Sequence, residues 1–209
     1  MADEKLKVTG SIRYDKNENF DGQFSPRISA VATVANNQNI RASFQTGFRN
    51  PTTQGQYIDL NAVTARLLGG LPRFVDKYGV TTNTYTIASV NEFTNSVLSG
   101  ASNPGLLVPF TSHETVKPEQ IKAYEVGYKG LLGNNLFIDM AYYYNVYDDF
   151  ITQVRVRKAS GPFTGGPADA AVAASLLSGD ASNTFQIYTN NDQTVTAHGA
   201  VVGLEYSLP

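Results

Sequence analysis

The chain has 209 residues, a formal net charge of −2 and no cysteine, so disulfides, thiolate metal sites and cysteine catalysis are excluded. The near-neutral charge balance lacks the excess of basic residues that is typical of a nucleic-acid-binding protein. Charged residues make up 16% of the chain and aromatic residues 11%, whereas ordinary soluble domains are about 25% charged. No apolar run reaches the ~18 residues that a transmembrane helix needs, and the opening MADEKLKVTG lacks the apolar region of a signal peptide.

Three strands are predicted in the first 49 residues, because apolar and polar side chains alternate there. In KLKVTGSIRYD, Val8 and Ile12 lie opposite Lys7 and Arg13, and the segments RISAVATV and IRASFQTGFR alternate in the same way. The polar stretches KNENFDGQ and ANNQN separate the three segments as a loop and a tight turn. The pattern predicts an antiparallel meander over residues 5–49.

Between residues 50 and 117 the alternation stops, and Thr, Asn, Gly and Ser become frequent. Two short helix candidates lie there, NAVTARLLGG (61–70) and VNEFTNSVLSG (90–100). A connection this long is uncommon in a compact domain and is usually functional or mobile. Loops on rigid scaffolds often carry binding residues, so substrate contacts are expected here. The candidate contacts are Tyr57, Arg73, Phe74, Tyr78 and Tyr85.

Strands resume over residues 119–157. QIKAYEVGYKG alternates, and LFIDMAYYYNVYDDFITQVRV (136–156) is predicted to form one long strand. A second long connection follows at 158–184 and contains an alanine-rich helix candidate. The segments FQIYTNND and TVTAHGAVVGLEYSLP provide the last strands, over residues 185–207.

Short turns, at 35–39 and 130–135, alternate with the two long connections. Outer-membrane barrels have this asymmetry, with short periplasmic turns and long extracellular loops. The apolar strand faces would then contact lipid and the polar faces a wet lumen. Tyrosine suits the boundary between hydrocarbon and headgroups, which accounts for the cluster in DMAYYYNVYDDF. The predicted aromatic girdle consists of Tyr14, Phe48, Tyr142 and Tyr144 at the outer boundary and Tyr128 and Tyr206 at the inner one.

Charged side chains fall on the predicted lumen face. They could guide an anionic substrate, hold a plug, or form cross-strand ion pairs in a wet barrel. The predicted lumen-lining residues are Arg27, Arg41, Arg49, Glu125 and Lys129. Alternation alone leaves a second fold open, because a half-buried strand of a soluble β-sandwich has the same period.

No catalytic constellation is present in the sequence, so we expect neither an enzyme nor a cofactor. The two histidines, His113 and His198, have no metal-ligand spacing, and no metal site is predicted. The nucleophile-elbow motif G-x-S-x-G and the phosphate-loop motif G-x-x-x-x-G-K-[ST] are both absent.

Three segments resemble the β-barrel of TonB-dependent outer-membrane receptors. They are QFSPRISAVATVANNQNIRASFQTGFRNPT (23–52), VKPEQIKAYEVGYKGLLGNNLFIDMAYYYNVYDDFI (116–151) and GAVVGLEYSLP near the end. Together they cover roughly half of the chain, in the order that the family has. The resemblance implies an all-β, antiparallel fold, a partial transmembrane β-barrel, and an outer-membrane location in a Gram-negative bacterium.

The resemblance also implies partners and a function. A receptor of this family takes up a large substrate, such as a siderophore, cobalamin or an oligosaccharide, through its extracellular loops. Its barrel contacts outer-membrane lipid, a plug domain closes it, and TonB supplies energy. This chain has no plug or TonB-binding segment and about six or seven strand candidates, whereas such transporters have about 22. We therefore expect an internal fragment that does not transport alone. The alternative is a soluble β-rich module that binds carbohydrate.

Overall fold

The computed structural model describes residues 5–208. The sequence expectations that concern the chain ends, residues 1–4 and 209, lie outside this range. The strands and α-helices, in chain order, are β1 (Leu6–Asp15), β2 (Gln23–Ala35), β3 (Gln38–Arg49), α1 (Thr53–Tyr57), β4 (Asp59–Asn61), β5 (Arg66–Leu68), α2 (Pro72–Tyr78), β6 (Thr84–Thr86), α3 (Ile87–Leu98), β7 (Glu119–Leu132), β8 (Leu136–Asp148), β9 (Phe150–Lys158), α4 (Asp169–Leu177), β10 (Thr184–Asn191) and β11 (Val195–Tyr206).

Six strands form one antiparallel sheet, the long sheet, in the order β1-β2-β3-β7-β8-β11. Each of these strands pairs with the next one of the sheet along the chain, so the sheet is a meander. Tight turns join β2 to β3 and β7 to β8. Asn37 and Gly133 have positive φ angles of 59° and 60° in these turns, a conformation that both residue types adopt readily. The predicted all-β, antiparallel fold class is confirmed by the long sheet, which is open, as in a partial barrel.

The chain divides into two compact units. The first contains the long sheet and comprises residues up to Asn50, Pro118–Phe150, and Asn191 onward. The second unit comprises Pro51–Lys117, between β3 and β7, and Ile151–Asn190, between β8 and β11. It contains a five-stranded sheet, the short sheet, in the order β4-β5-β10-β9-β6. Within it β10 pairs with β5 in parallel, whereas β4–β5 and β6–β9 are antiparallel.

The second unit has its own hydrophobic core. One cluster lies between the short sheet and α2 and includes Leu68, Val75 and Ile187; another lies around α3 and α4 and includes Phe93 and Leu176. All the buried apolar side chains of the described residues belong to this unit. None of the helices in residues 5–208 is long and apolar enough to cross a membrane.

The sequence prediction of a helix at 61–70 is wrong. Residues 59–68 form the β4–β5 hairpin, in which Asp59 lies opposite Leu68 and the Ala62 N–H donates to the Ala65 carbonyl. Leu68 is fully buried in the core of the second unit, so packing overrides the helical propensity of Ala, Leu and Arg. The other two helix predictions are confirmed by α3 and α4.

The predicted single strand over 136–156 is also wrong, because it is two strands in two sheets. β8 ends at Asp148 and β9 begins at Phe150, and Asp149 between them has a φ angle of 53°. A left-handed residue interrupts a strand, and aspartate tolerates this conformation better than most residues. β9 then joins the short sheet.

Candidate functional site

The long sheet has an apolar face on which aromatic rings lie side by side. Register places Phe44, Tyr124, Tyr144 and His198 opposite one another on four neighbouring strands. The Phe44 and Tyr124 ring centroids are 4.9 Å apart, and those of Tyr124 and Tyr144 are 6.3 Å apart. The apolar side chains of this face are exposed or half-buried and none of them is fully buried, so it is a surface and not a core.

The six predicted girdle residues all lie on strands of the long sheet. The Tyr14 ring is 4.8 Å from that of Phe24, and Tyr142 is 6.3 Å from the His198 ring. The other four are Phe48 on β3, Tyr128 on β7, Tyr144 on β8 and Tyr206 on β11. Their contact with lipid stays a prediction.

The opposite face of the long sheet is polar, and Arg41 is at its centre. The guanidinium of Arg41 donates to Glu125 on β7 at 3.3 Å and to Asp139 on β8 at 3.1 Å. It reaches β8 across Gly127, where an added Cβ would lie 2.8 Å from Arg41 Nε and 2.9 Å from the Met140 carbonyl oxygen. Glycine therefore leaves the space through which one arginine joins three strands.

The other predicted lumen residues lie along the same strands. Arg49 donates to the buried carboxylate of Glu119 at 2.7 Å, and Lys129 Nζ is 5.3 Å from the centre of the Phe137 ring. Arg27 is exposed on β2, opposite Gln45. Cross-strand pairing describes Arg41, Arg49 and Glu125; contact of any of the five with substrate or plug stays a prediction.

In the second unit, Asp59 is the centre of an ionic network. Its carboxylate accepts hydrogen bonds from Arg66 at 2.7 Å, Lys77 at 2.7 Å and the Tyr78 hydroxyl at 2.9 Å. Burial acts to raise the pKa of Asp59, but the bonds from Lys77, Arg66 and Tyr78 outweigh it and lower the pKa to about 2. The network fastens α2 to the β4–β5 hairpin.

The five predicted substrate contacts do not form one cluster. Arg73 lies between two rings, 5.0 Å from the centre of Tyr57 and 4.8 Å from that of Phe74. Phe74 also packs on the core, and Tyr78 belongs to the Asp59 network. Tyr85 is elsewhere, on β6, where its ring is 6.5 Å from that of Phe163 and burial raises its pKa. Ligand contact by these residues stays a prediction.

Sequence reasoning missed an open groove of about 510 Å³ on the short sheet. Its lining consists of Ile151, Thr152, Gln153, Arg155, Gln186 and Tyr188. Successive residues of a strand point to opposite faces, so most of this lining lies opposite the core residues Val154, Val156, Phe185 and Ile187. The alternation in TQVRVR and FQIY carries this signal, but the sequence prediction of one strand over 136–156 places β9 in the long sheet.

Neither histidine is among the lining residues of the groove. His113 in the second unit bonds the Gly70 carbonyl through Nε2 at 3.1 Å, and burial lowers its pKa. His198 is on the apolar face of the long sheet. In residues 5–208 no group of three or more acidic or histidine side chains is arranged to hold a metal ion.

Comparison with known proteins identifies similar folds. The family model described as "TonB dependent receptor-like, beta-barrel" matches residues 2–208. The siderophore receptor PirA from Pseudomonas aeruginosa has a TM-score of 0.54 and 13% identity, over 97% of this chain and 28% of PirA. The Serratia marcescens hemophore receptor HasR, solved with its hemophore HasA and heme, has a TM-score of 0.52 and 12% identity, over 97% and 27%.

At these identities the structural likeness shows the fold alone. The chain spans about a quarter of the length of the two solved receptors, 28% of one and 27% of the other. No curated protein sequence matches the chain.

Proposed function

Because the chain belongs to the TonB-dependent receptor β-barrel family, we propose that it forms part of an outer-membrane receptor of a Gram-negative bacterium, which takes up a large substrate actively. The observation that carries the proposal is the difference between the two faces of the long sheet. One face exposes Val126, Met140 and Tyr142, and the other holds the Arg41 network. A strand whose faces contact lipid and water needs this arrangement. The family is one of receptors, and we propose no catalytic role.

The proposal requires further strands. β1 and β11 are the edge strands of the long sheet, and each unpaired backbone group in hydrocarbon costs several kcal/mol. We propose that the rest of the barrel pairs with these edges, that a plug domain fills the lumen, and that TonB supplies energy through a part of the receptor beyond these residues. The 209 residues alone then do not transport.

The second unit is the proposed substrate-binding part, in an extracellular position. It is built from Pro51–Lys117 and Ile151–Asn190, which leave the long sheet at the end opposite its tight turns. Its own hydrophobic core supports a preformed surface in place of two mobile loops. The candidate substrate classes are siderophore, cobalamin and oligosaccharide.

The test uses the full-length receptor in its own cells. We expect it in the outer-membrane fraction, and we expect uptake of its substrate to stop when the inner-membrane proton gradient is dissipated, because the outer membrane has no energy source of its own. The substrate is first identified as a compound on which a strain lacking the receptor gene grows poorly. Accumulation of the radiolabelled substrate in cells then gives the uptake rate. A full-length protein found in the soluble fraction would contradict the proposal and favour the soluble carbohydrate-binding module.

A further inference from the structure

We propose that the groove on the short sheet binds a saccharide, an inference that rests on the proposed function and names the class of its substrate. The groove has a volume of about 510 Å³, within the range of about 300–1,000 Å³ that small-molecule sites occupy. Its lining combines two amides, one guanidinium, one hydroxyl, one phenol ring and one aliphatic side chain. Acidic side chains do not take part in it.

The two amides present a paired donor and acceptor. Gln186 on β10 donates to Gln153 on β9, which leaves the Gln153 amino group and the Gln186 carbonyl oxygen without a partner among the described residues. An amide carries two N–H donors and a carbonyl acceptor. If Gln153 were the donor and Gln186 the acceptor, one amide amino group and one side-chain carbonyl oxygen would again be available to a ligand. Vicinal sugar hydroxyls, each a donor and an acceptor, match an N–H and a C=O side by side.

Tyr188 provides a flat apolar surface at the same place. It follows Gln186 by two residues on β10, so both side chains lie on one face of the strand. Gly55 of α1 lies beside the ring, since an ideal Cβ built on Gly55 would be 3.5 Å from the ring atom Cδ1. The C–H face of a pyranose packs well on such a ring, and the phenol hydroxyl can bond to the ligand.

Arg155 sets the charge that the ligand can carry. Its guanidinium donates to the Thr64 carbonyl at 2.8 Å, and no carboxylate among the described residues pairs with it. Its strand neighbour Arg157 turns away from the groove, towards the Leu176 carbonyl and the Thr184 hydroxyl. One guanidinium compensates at most about one negative charge, so a ferric chelate with several charges fits poorly. A neutral sugar or one with a single carboxylate per binding ring fits well.

The experiment measures binding of purified full-length receptor, in detergent, to a printed array of neutral and uronate-containing oligosaccharides. Isothermal titration then gives the affinity for the strongest glycan. We expect binding to at least one glycan class. Gln153→Leu and Gln186→Leu should each weaken it about tenfold, because each removes a hydrogen-bonding partner of the sugar. The control is Asn91→Ala, at an exposed position on α3 outside the groove, which should bind as the wild type does.

Variants of Arg155 distinguish a neutral glycan from a uronate-containing glycan as the ligand. Binding to neutral glycans that survives Arg155→Gln with a small loss identifies Arg155 as a hydrogen-bond donor. Binding restricted to uronates, lost in Arg155→Gln and partly kept in Arg155→Lys, identifies it as the partner of a carboxylate. Both outcomes support a saccharide site.

Two results would overturn the inference. One is a correctly assembled receptor that binds no glycan on the array. The other is a glycan affinity that the two glutamine variants leave unchanged, or lower no more than the Asn91 control does. A receptor that resides in the outer membrane and takes up a different kind of substrate would remove the saccharide inference and leave the proposed function standing. Glycan binding by a protein that is absent from the outer membrane would contradict the proposed function and leave the saccharide site standing.

Discussion

Val201 and Val202 provide a matched test of the two faces of the long sheet. They are neighbours on β11 and equally exposed, at 61% and 62%. Val201 lies opposite Ala141, on the face of the Arg41 network, whereas Val202 lies opposite Met140, on the apolar face. We therefore compare Val201→Arg with Val202→Arg in the full-length receptor.

The expected difference follows from where the two side chains lie. Val202 is midway in register between His198 and Tyr206, in the middle of the proposed lipid-contacting part of β11. An arginine on the lipid face near the bilayer midplane costs about 2–4 kcal/mol. Since about 1.4 kcal/mol is a factor of ten, the ratio of assembled to unassembled receptor should fall roughly 30- to 900-fold. An arginine at Val201 would meet water and the polar face, so we expect a change within about 0.5 kcal/mol.

The assay is the amount of folded receptor in the outer-membrane fraction, measured as the band that changes its migration only after the sample is boiled in detergent. Wild type and Val201→Arg should give similar amounts, and Val202→Arg should give little or none. Equal loss in both variants, or a greater loss in Val201→Arg, would refute the assignment of one face to lipid and the other to the lumen.

Three further predictions concern single contacts. Gly127→Ala should reduce assembly by displacing Arg41, whereas Gly203→Ala, whose added Cβ would make its nearest contact at 3.6 Å, should be tolerated; equal assembly of the two variants would contradict this. Asp59→Asn should destabilise the second unit at pH 7 by about 1 kcal/mol, a value reduced by solvent screening, and limited proteolysis measures it. Because the folded pKa of Asp59 is lowered to about 2, its stabilisation is present above about pH 3.9 and is lost as the pH falls towards 2; a difference that persists at pH 2 would count against the network. Burial lowers the pKa of His113, so the protease resistance of the second unit should decrease below about pH 6.5 in wild type but not in His113→Gln, and identical pH profiles would exclude His113 as the cause.

The long sheet could be predicted from the sequence because its strands are long. β3 and β7 are 12 and 14 residues long. Apolar and polar side chains alternate along β3 and from Tyr124 to Lys129 of β7, enough to distinguish a period of two from a helical period. The two tight turns can also be predicted from the sequence, since Asn37 and Gly133 occupy the positions where positive φ angles are needed. The lipid and lumen assignments came from the same alternation together with the tyrosines.

The short sheet could not be predicted in this way. β4, β5 and β6 have three residues each, too few for a period to be recognised. Their pairing depends on contacts that are distant in sequence, such as the parallel register of Phe185 with Arg66. Asp149 is a residue type that tolerates the left-handed conformation at the end of β8. The run of aromatic residues before it favours a continuous strand more strongly, so the sequence predicts one strand there.

The core of the second unit bears on which residues can bind substrate. Aromatic and basic residues in a long loop are natural candidates for ligand contacts, yet Phe74 packs on the core and Tyr78 bonds Asp59. A side chain that already stabilises the fold gains less from a ligand, because binding must first replace contacts that it has. The groove residues Gln153 and Gln186 differ in this respect, since each keeps hydrogen-bonding capacity that no described side chain uses. Substrate specificity is therefore better sought on the exposed face of the short sheet than among the aromatic residues of α2.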